Sequence, residues 1–314
     1  MHVLDRIDTT QINELRAKHQ FFWLDLVGAD EQELRHLGAL FGWHPIAVQD
    51  TVEFRQRPKL DRYSDHMLVV FYGAHAATWH NAGVIEVHLI VSGDWVVTVR
   101  RQSCDELDEL RRRFQSGEID ERSEQFVIYR ILDTLTDTFF PVLERIDDVI
   151  DNLEDTIVLR PSDEQLQRLF LLKRRLLALR RIITPQRDLA QRTISEIDEL
   201  PGLSVDSRDY FRDVYDHLIR VSDLVDSYRD LLSSVMDIYL STTSNRMNAV
   251  MKQLTLVATI FLPITALTGF FGQNFGWLTG HIDGLWQFLV FGVGGALFAL
   301  VVLAIWFRRA KFFD

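Results

Sequence analysis

Residues 203–262 contain neither glycine nor proline, although Gly202 and Pro263 bound the stretch. With nothing in it to break a helix, it is predicted to form one helix of roughly 90 Å at 1.5 Å rise per residue. Along it, Phe211, Val214, Leu218, Val221, Val225, Tyr228, Leu232, Val235 and Tyr239 recur at alternating spacings of three and four. That is the period of a helix in a bundle or coiled coil. Packing on the chain's own domain explains this stripe as well as packing between copies does. A second stripe comprises Asp237, Ser241, Ser244, Asn248, Met251, Thr255, Ala258, Leu262, Thr265 and Gly269. It is polar or small apart from Met251 and Leu262, so identical helices around an axis would line a narrow, oxygen-bearing channel. One copy encloses nothing, and a homo-oligomer is implied. The alternative for the hydroxyl residues is that they bond back to their own helix or join neighbouring helices.

The long stretch leads into a change of solvent. From Leu254 onward the chain is nearly free of charge, and 254–271 and 285–307 are two uncharged apolar runs. Each approaches or exceeds the ~20 residues needed to cross ~30 Å of hydrocarbon. Arg246 and Lys252 precede the first run, and Arg308, Arg309 and Lys311 follow the second, while 272–284 has no Lys or Arg. The positive-inside rule then predicts a multi-pass protein of the cell inner or plasma membrane with both termini cytoplasmic. Gly292, Gly294, Gly295, Ala296 and Ala299 give the second span a small-residue face, and Trp286 and Trp306 lie near its ends. Nothing in it can hold an ion, so it is expected to be an outer, lipid-facing helix. The chemistry falls to the first span.

The formal net charge of −11 belongs to the aqueous part and favours cations over nucleic acid as partners. Cys104 is the only cysteine, which excludes an internal disulfide framework and points to a small buried residue. The N-terminus has no basic segment followed by an apolar run, so no secretory signal is expected. Residues 21–28, 66–77 and 84–101 read as strands, the last a hairpin turned at Ser92-Gly93-Asp94. Helical pattern resumes near Ser123 and runs through 141–158 and 162–184. Ser162 and Gln165 form a capping box after Pro161, so these two are expected to pair antiparallel beside the long helix. His281 and Asp283 are close in sequence, yet no metalloprotease spacing, P-loop or nucleophile motif accompanies them. The chain reads as a non-enzyme without a resident cofactor.

Residues 244–275, which include Asn248, Val250-Met251-Lys252, Leu254-Thr255, Ala258-Thr259-Ile260-Phe261, Pro263, Thr265 and Gly269, resemble the pore helix of the CorA family of metal ion transporters. The likeness extends to 210–217 and to Gln56-Arg57-Pro58-Lys59. It implies an α+β membrane protein assembled as a funnel-shaped homopentamer that passes divalent cations across the lipid bilayer. The corresponding division is a cytoplasmic α/β domain over 1–120, a helical hairpin region over 121–200, and a stalk helix over 203–253 continuous with a pore helix over 254–271. An outer loop over 272–284, a second span over 285–307 and a basic cytoplasmic tail over 308–314 complete it. Where the family signature reads Tyr-Gly-Met-Asn, this chain has Phe271-Gly272-Gln273-Asn274, and the related zinc-associated ZntB branch also departs at the methionine.

The resemblance makes Gly272, Gln273 and Asn274 the expected selectivity filter, with a ring of Asn274 amides holding a hydrated ion through its waters. Asp237, Ser244, Asn248, Met251, Leu254, Thr255, Leu262, Thr265 and Gly269 are the expected pore lining. Leu254 or Met251, with Leu262, would gate by dewetting, and Pro263 would free a backbone carbonyl. Asp213 matches a stalk aspartate that binds inhibitory metal in the family, so cytoplasmic metal is expected to close the pore by bridging acidic residues between subunits, and Mg²⁺ is expected both as substrate and as regulatory ligand. Zinc transport, with or without coupling to protons, and a non-transporting membrane scaffold are the competing expectations.

Overall fold

The computed structural model describes residues 1–75, 83–121, 123–273, 276–281 and 284–309. They fall into two compact units, Met1–Tyr239 and Leu240–Asp314.

The first unit is built on six strands, β1 (His2–Leu4), β2 (Phe22–Val27), β3 (Lys59–Arg62), β4 (Met67–His75), β5 (Gly83–Val91) and β6 (Trp95–Arg100). Their order in the sheet is β1-β2-β6-β5-β4-β3, with β1, β2 and β6 parallel and the remainder an antiparallel meander. The meander follows local sequence: the Ser92-Gly93-Asp94 turn closes with Ser92 N–H donating to Trp95 O at 3.0 Å. The expected strand over 66–77 is β4, and its last two residues lie outside the described ones. In β2 the consecutive residues Trp23 and Leu24, which face opposite sides of the sheet, are both buried, because helices cover both faces. On one side α1 (Thr9–Ala17), α2 (Glu31–Phe41) and α3 (Pro45–Glu53) pack Ile12, Leu37 and Ala47 on Phe22, Leu24 and Val97. On the other, α4 (Asp105–Ser116) and α5 (Glu124–Asp137) pack Leu107 and Ile131 on Trp23, Leu89 and Val96. Cys104 is buried there, as a small core residue.

After α5 come α6 (Phe139–Leu159) and α7 (Asp163–Ser195), packed together on the start of a long helix, α8 (Arg208–Phe271). The capping box at α7 is formed: Ser162 N–H donates to Gln165 Oε1 at 2.8 Å, and Gln165 N–H to Ser162 Oγ at 3.4 Å. The expected end at Thr184 is corrected, since α7 continues through Pro185 to Ser195. Proline removes one helix donor, but Ile183, Gln186, Leu189 and Ala190 are buried on either side of it. Their packing outweighs the lost bond. The Gln186 amide also docks on β4 beyond the end of β3, accepting from Tyr72 N–H and donating to Tyr72 O at 3.2 Å.

The long helix begins at Arg208, after a single tight turn over Val205–Ser207, rather than at 203. Its first stripe is spent inside the chain. Phe211, Val214 and Leu218 enter the core beneath the sheet, while Val221, Val225, Leu232, Val235 and Tyr239 pack on α6 and α7.

The second unit holds the end of α8, then α9 (Gly276–His281), α10 (Leu285–Gln287) and α11 (Gly295–Arg309). The end of α8 and Leu285–Arg309 are long and apolar enough to cross a membrane. The segment 272–284, expected as loop, contains the short helix α9, and the second span is not uniformly α-helical. Phe288–Gly294 takes the wider π geometry between α10 and α11, at a place where glycines leave the backbone unencumbered.

Candidate functional site

The second unit carries the candidate conduction surface. Leu256 and Ile260 of α8 line a cavity with Leu300, Leu303, Ala304 and Phe307 of α11. Leu267 and Phe271 line a cleft of ≈ 630 Å³ with Gly292, Ala296 and Leu300. These contacts define the face of α8 turned toward its partner helix. At about 100° per residue, Thr255, Ala258, Leu262, Thr265 and Gly269 point roughly 150° away from it. Ser244, Asn248, Met251 and all five of those residues are exposed, as is Asp237 in the first unit, and Leu262 reaches 74% exposure. Leu254 is exposed too but sits on the flank of this face, about 70° from its centre. Of the two alternatives Leu254 and Met251, it is therefore Met251 that lies on the stripe, together with Leu262.

The hydroxyls of this helix do bond back along it. Thr265 Oγ1 donates to Phe261 O at 2.8 Å and Thr259 Oγ1 to Thr255 O at 2.7 Å. Such a bond uses the proton and leaves the oxygen lone pairs outward, as acceptors for a cation's water. Pro263 has no N–H for the carbonyl of Thr259. At the end of α8, Gly272 N–H donates to Thr268 O at 2.9 Å and Gln273 N–H to Phe270 O at 3.3 Å. A Cβ on Gly272 would stand 3.0 Å from Thr268 O, which is why the smallest residue closes the helix. Asn274 lies outside the described residues.

Asp213 sits in the first unit, on the first turns of α8, in a setting that single-residue reading missed. One atom each from Asp133, Asp213 and His217 lie within 4.8 Å of one another, a spacing suited to a metal ion. His217 Nε2 is 3.9 Å from Asp213 Oδ1, and Nδ1 is 3.2 Å from Asp133 Oδ1 and 3.6 Å from Asp137 Oδ1. The Asp133 contact is close but off hydrogen-bond geometry, so both buried atoms lack a hydrogen-bond partner. Tyr129 Oη donates to Asp213 Oδ2 at 2.8 Å, and Arg130 Nη1 to Asp133 Oδ2 at 2.7 Å. Burial, then the neighbouring Asp137, pushes Asp133 above the usual carboxylate range against the pull of Arg130 and His217. Burial raises Asp137 likewise. A divalent cation would relieve that like-charge crowding. The signal available in sequence was a pair of i,i+4 spacings, Asp133 with Asp137 on α5 and Asp213 with His217 on α8.

The family described as CorA-like Mg²⁺ transporter protein matches residues 18–309. A cobalt/magnesium transport protein CorA of Thermotoga maritima is 33% identical over 92% of this chain and 82% of its own length. A zinc transport protein ZntB of Yersinia enterocolitica is 28% identical over 81% of this chain and 76% of its own. Among solved structures, the complete CorA magnesium transporter of Methanocaldococcus jannaschii superposes with a TM-score of 0.80 at 22% identity, covering 91% of this chain and 90% of that one. At that identity the likeness concerns the fold alone. The chain belongs to the CorA-like Mg²⁺ transporter family.

Proposed function

We propose that, as a member of this family, the chain transports divalent metal cations across a membrane, with Mg²⁺ as principal substrate and Co²⁺ or Ni²⁺ as further ones. The observation that carries the reading is the exposed stripe from Ser244 to Gly269, turned away from the second span. A polar face kept off the neighbouring helix at membrane depth has its use where it lines water. One copy leaves it open, so several copies, five on the family pattern, enclose it with Met251 and Leu262 as apolar constrictions and both termini cytoplasmic. The filter is Gly272, Gln273 and Asn274. Membrane potential drives entry at about 2.3 kcal/mol per charge per 100 mV, and no nucleotide is required.

The Asp133, Asp213 and His217 group is read as the cytoplasmic regulatory site. Two carboxylates and an imidazole accept Mg²⁺ through oxygen and Co²⁺ or Ni²⁺ through oxygen and nitrogen together. Zinc transport is the second reading, favoured by Gln273 standing where the CorA signature has methionine. The deciding experiment measures uptake of Mg²⁺, Co²⁺, Ni²⁺ and Zn²⁺ into proteoliposomes with and without a pH gradient, for wild type and Asn274→Ala. Selective Mg²⁺ uptake indifferent to the pH gradient, lowered at least tenfold by Asn274→Ala, supports the Mg²⁺ reading. Zinc uptake that requires the gradient supports the second. Flux through neither, from a protein that native mass spectrometry finds only as a monomer, overturns both.

A further inference from the structure

We propose that Tyr129 and Arg130, adjacent on α5, are the positioning residues of the Asp213 site, each occupying one carboxylate oxygen so that the other is presented to the cation. The inference rests on the reading of Asp133, Asp213 and His217 as a metal site. Its basis is a pattern shared by the two acids. Tyr129 takes Oδ2 of Asp213 and Arg130 takes Oδ2 of Asp133. In both cases the remaining oxygen, Oδ1, is the one on the His217 side, 3.9 Å from Nε2 in Asp213 and 3.2 Å from Nδ1 in Asp133.

The orientation of an aspartate carboxylate is soft, because its terminal torsion is broad and two-fold. A donor on one oxygen removes that freedom. Such partners behind metal ligands commonly change metal affinity by roughly 10- to 100-fold when removed.

Tyr129 is itself held. Its ring stacks on Tyr210 with centroids 4.9 Å apart and 19° between planes. Phe126 stands 6.0 Å from Tyr129 and 5.8 Å from Tyr210, and the Tyr210 hydroxyl donates to Glu121 Oε1 at 2.9 Å. The Arg130 guanidinium lies 5.9 Å from the Tyr129 ring centroid. A hydroxyl braced in this way directs a carboxylate rather than following it. Arg130 and Asp133 share α5, whereas Asp213 is on α8, so the Tyr129 bond is the one of the two that fixes a carboxylate across the two helices.

The test compares the internal Mg²⁺ and Co²⁺ concentrations that half-inhibit flux in proteoliposomes containing the full chain. A second readout, metal-dependent protection against thermal unfolding, needs no flux. Tyr129→Phe keeps the ring and removes the donor, so both midpoints should move to roughly tenfold higher metal. Arg130→Gln should move them the same way through Asp133, and it stands as the second variant if Tyr129→Phe does not fold. Tyr210→Phe, which keeps the ring stack and loses only the Glu121 bond, should leave the midpoints near wild type. If Tyr210→Phe shifts them as far as Tyr129→Phe, loss of any hydroxyl bond in this aromatic cluster has the same effect, the Tyr129–Asp213 bond has no special role, and the inference is overturned. Wild-type midpoints in Tyr129→Phe and Arg130→Gln, beside lost inhibition in Asp213→Ala, overturn the positioning role while the site stands. Unchanged inhibition in Asp213→Ala overturns the site and the inference with it.

Discussion

The two parts of α8 use the same helical period for opposite ends. In the first unit every third or fourth residue from Phe211 to Tyr239 is apolar, and of that stripe all but the half-buried Tyr228 are buried against α5, α6, α7 and the sheet. In the second unit Met247, Val250, Leu254, Val257, Phe261 and Leu262 are all more than 50% or at least half exposed, and the polar stripe beside them is bare. One copy completes the first structure. It leaves the second exposed, so equally regular spacings of three and four mark a buried face in one unit and an open face in the other.

The largest expected effect separates the two parts by stability. Leu218 is fully buried and Leu262 is 74% exposed. Leu218→Ala should cost roughly 2–5 kcal/mol through lost transfer energy and a cavity. Leu262→Ala should change the same quantity by less than about 0.5 kcal/mol while altering flux. Denaturant unfolding of the full chain in detergent, followed by tryptophan fluorescence, measures both. Equal losses would mean that the stripe carrying Leu262 is packed as tightly as a core, and the contrast would fail.

A smaller effect tests the two sides of α8 within the second unit. Thr265 lies on the exposed stripe, and Thr268 lines the cleft facing α11. Both hydroxyls bond back to the helix, to Phe261 O and Ile264 O respectively. Replacing either by valine keeps the shape, so the difference between them isolates the outward lone pairs. Thr265→Val should lower Mg²⁺ uptake several-fold, up to about tenfold, equivalent to about 1.4 kcal/mol on the barrier, and Thr268→Val should change it far less. Similar uptake by the two variants would remove Thr265 from the conduction path.

What was legible in sequence follows from how local each signal is. The β4–β5–β6 meander, the Ser162–Gln165 box and the two apolar runs depend on neighbours in sequence and appear where expected. Helix α1 escaped notice because it buries only Ile12 and Leu15. Helix α2 had a readable start in the Asp30 and Glu33 capping box and a readable end in Gly42 at φ 73°, yet its period was not recognised. The parallel pairing of β2 with β6 joins Phe22 to Trp95, a distance no local pattern encodes. The same holds at the candidate metal site. Asp213 was identified by resemblance, but Tyr129 lies 84 residues away in sequence, and only the packing of α5 on α8 brings Asp133 and His217 together.

The smallest effect concerns a half-buried acid with one buried oxygen, which the first unit has and the second lacks, since no described residue from 240 to 309 is Asp or Glu. Glu124, at the first position of α5, has a buried Oε1 without a hydrogen-bond partner. It abuts Gly202, where an added Cβ would clash with that carboxylate and stand 2.7 Å from Ser92 O. Burial, and then the charge of Asp94, pushes Glu124 up to about 9. Its folded value therefore exceeds the ordinary value of about 4.3 in an unfolded chain. The folded state then holds a proton that the unfolded state releases, so the associated stability is fully present below about pH 4.3 and is lost as pH rises toward 9. The positive end of the α5 dipole favours the anion and works against this loss, which brings the expected change to on the order of 1 kcal/mol across the window. Glu124→Gln supplies a neutral group at every pH. The urea midpoint of the first unit should decline from about pH 5 to about pH 9 in wild type and decline less in the variant. The second unit, monitored by hydrogen exchange of α11, should show no corresponding trend. A wild-type midpoint that stays level, or one that falls equally with Glu124→Gln, would show that Glu124 is ionised in its pocket at neutral pH and that the pH response of the first unit originates elsewhere.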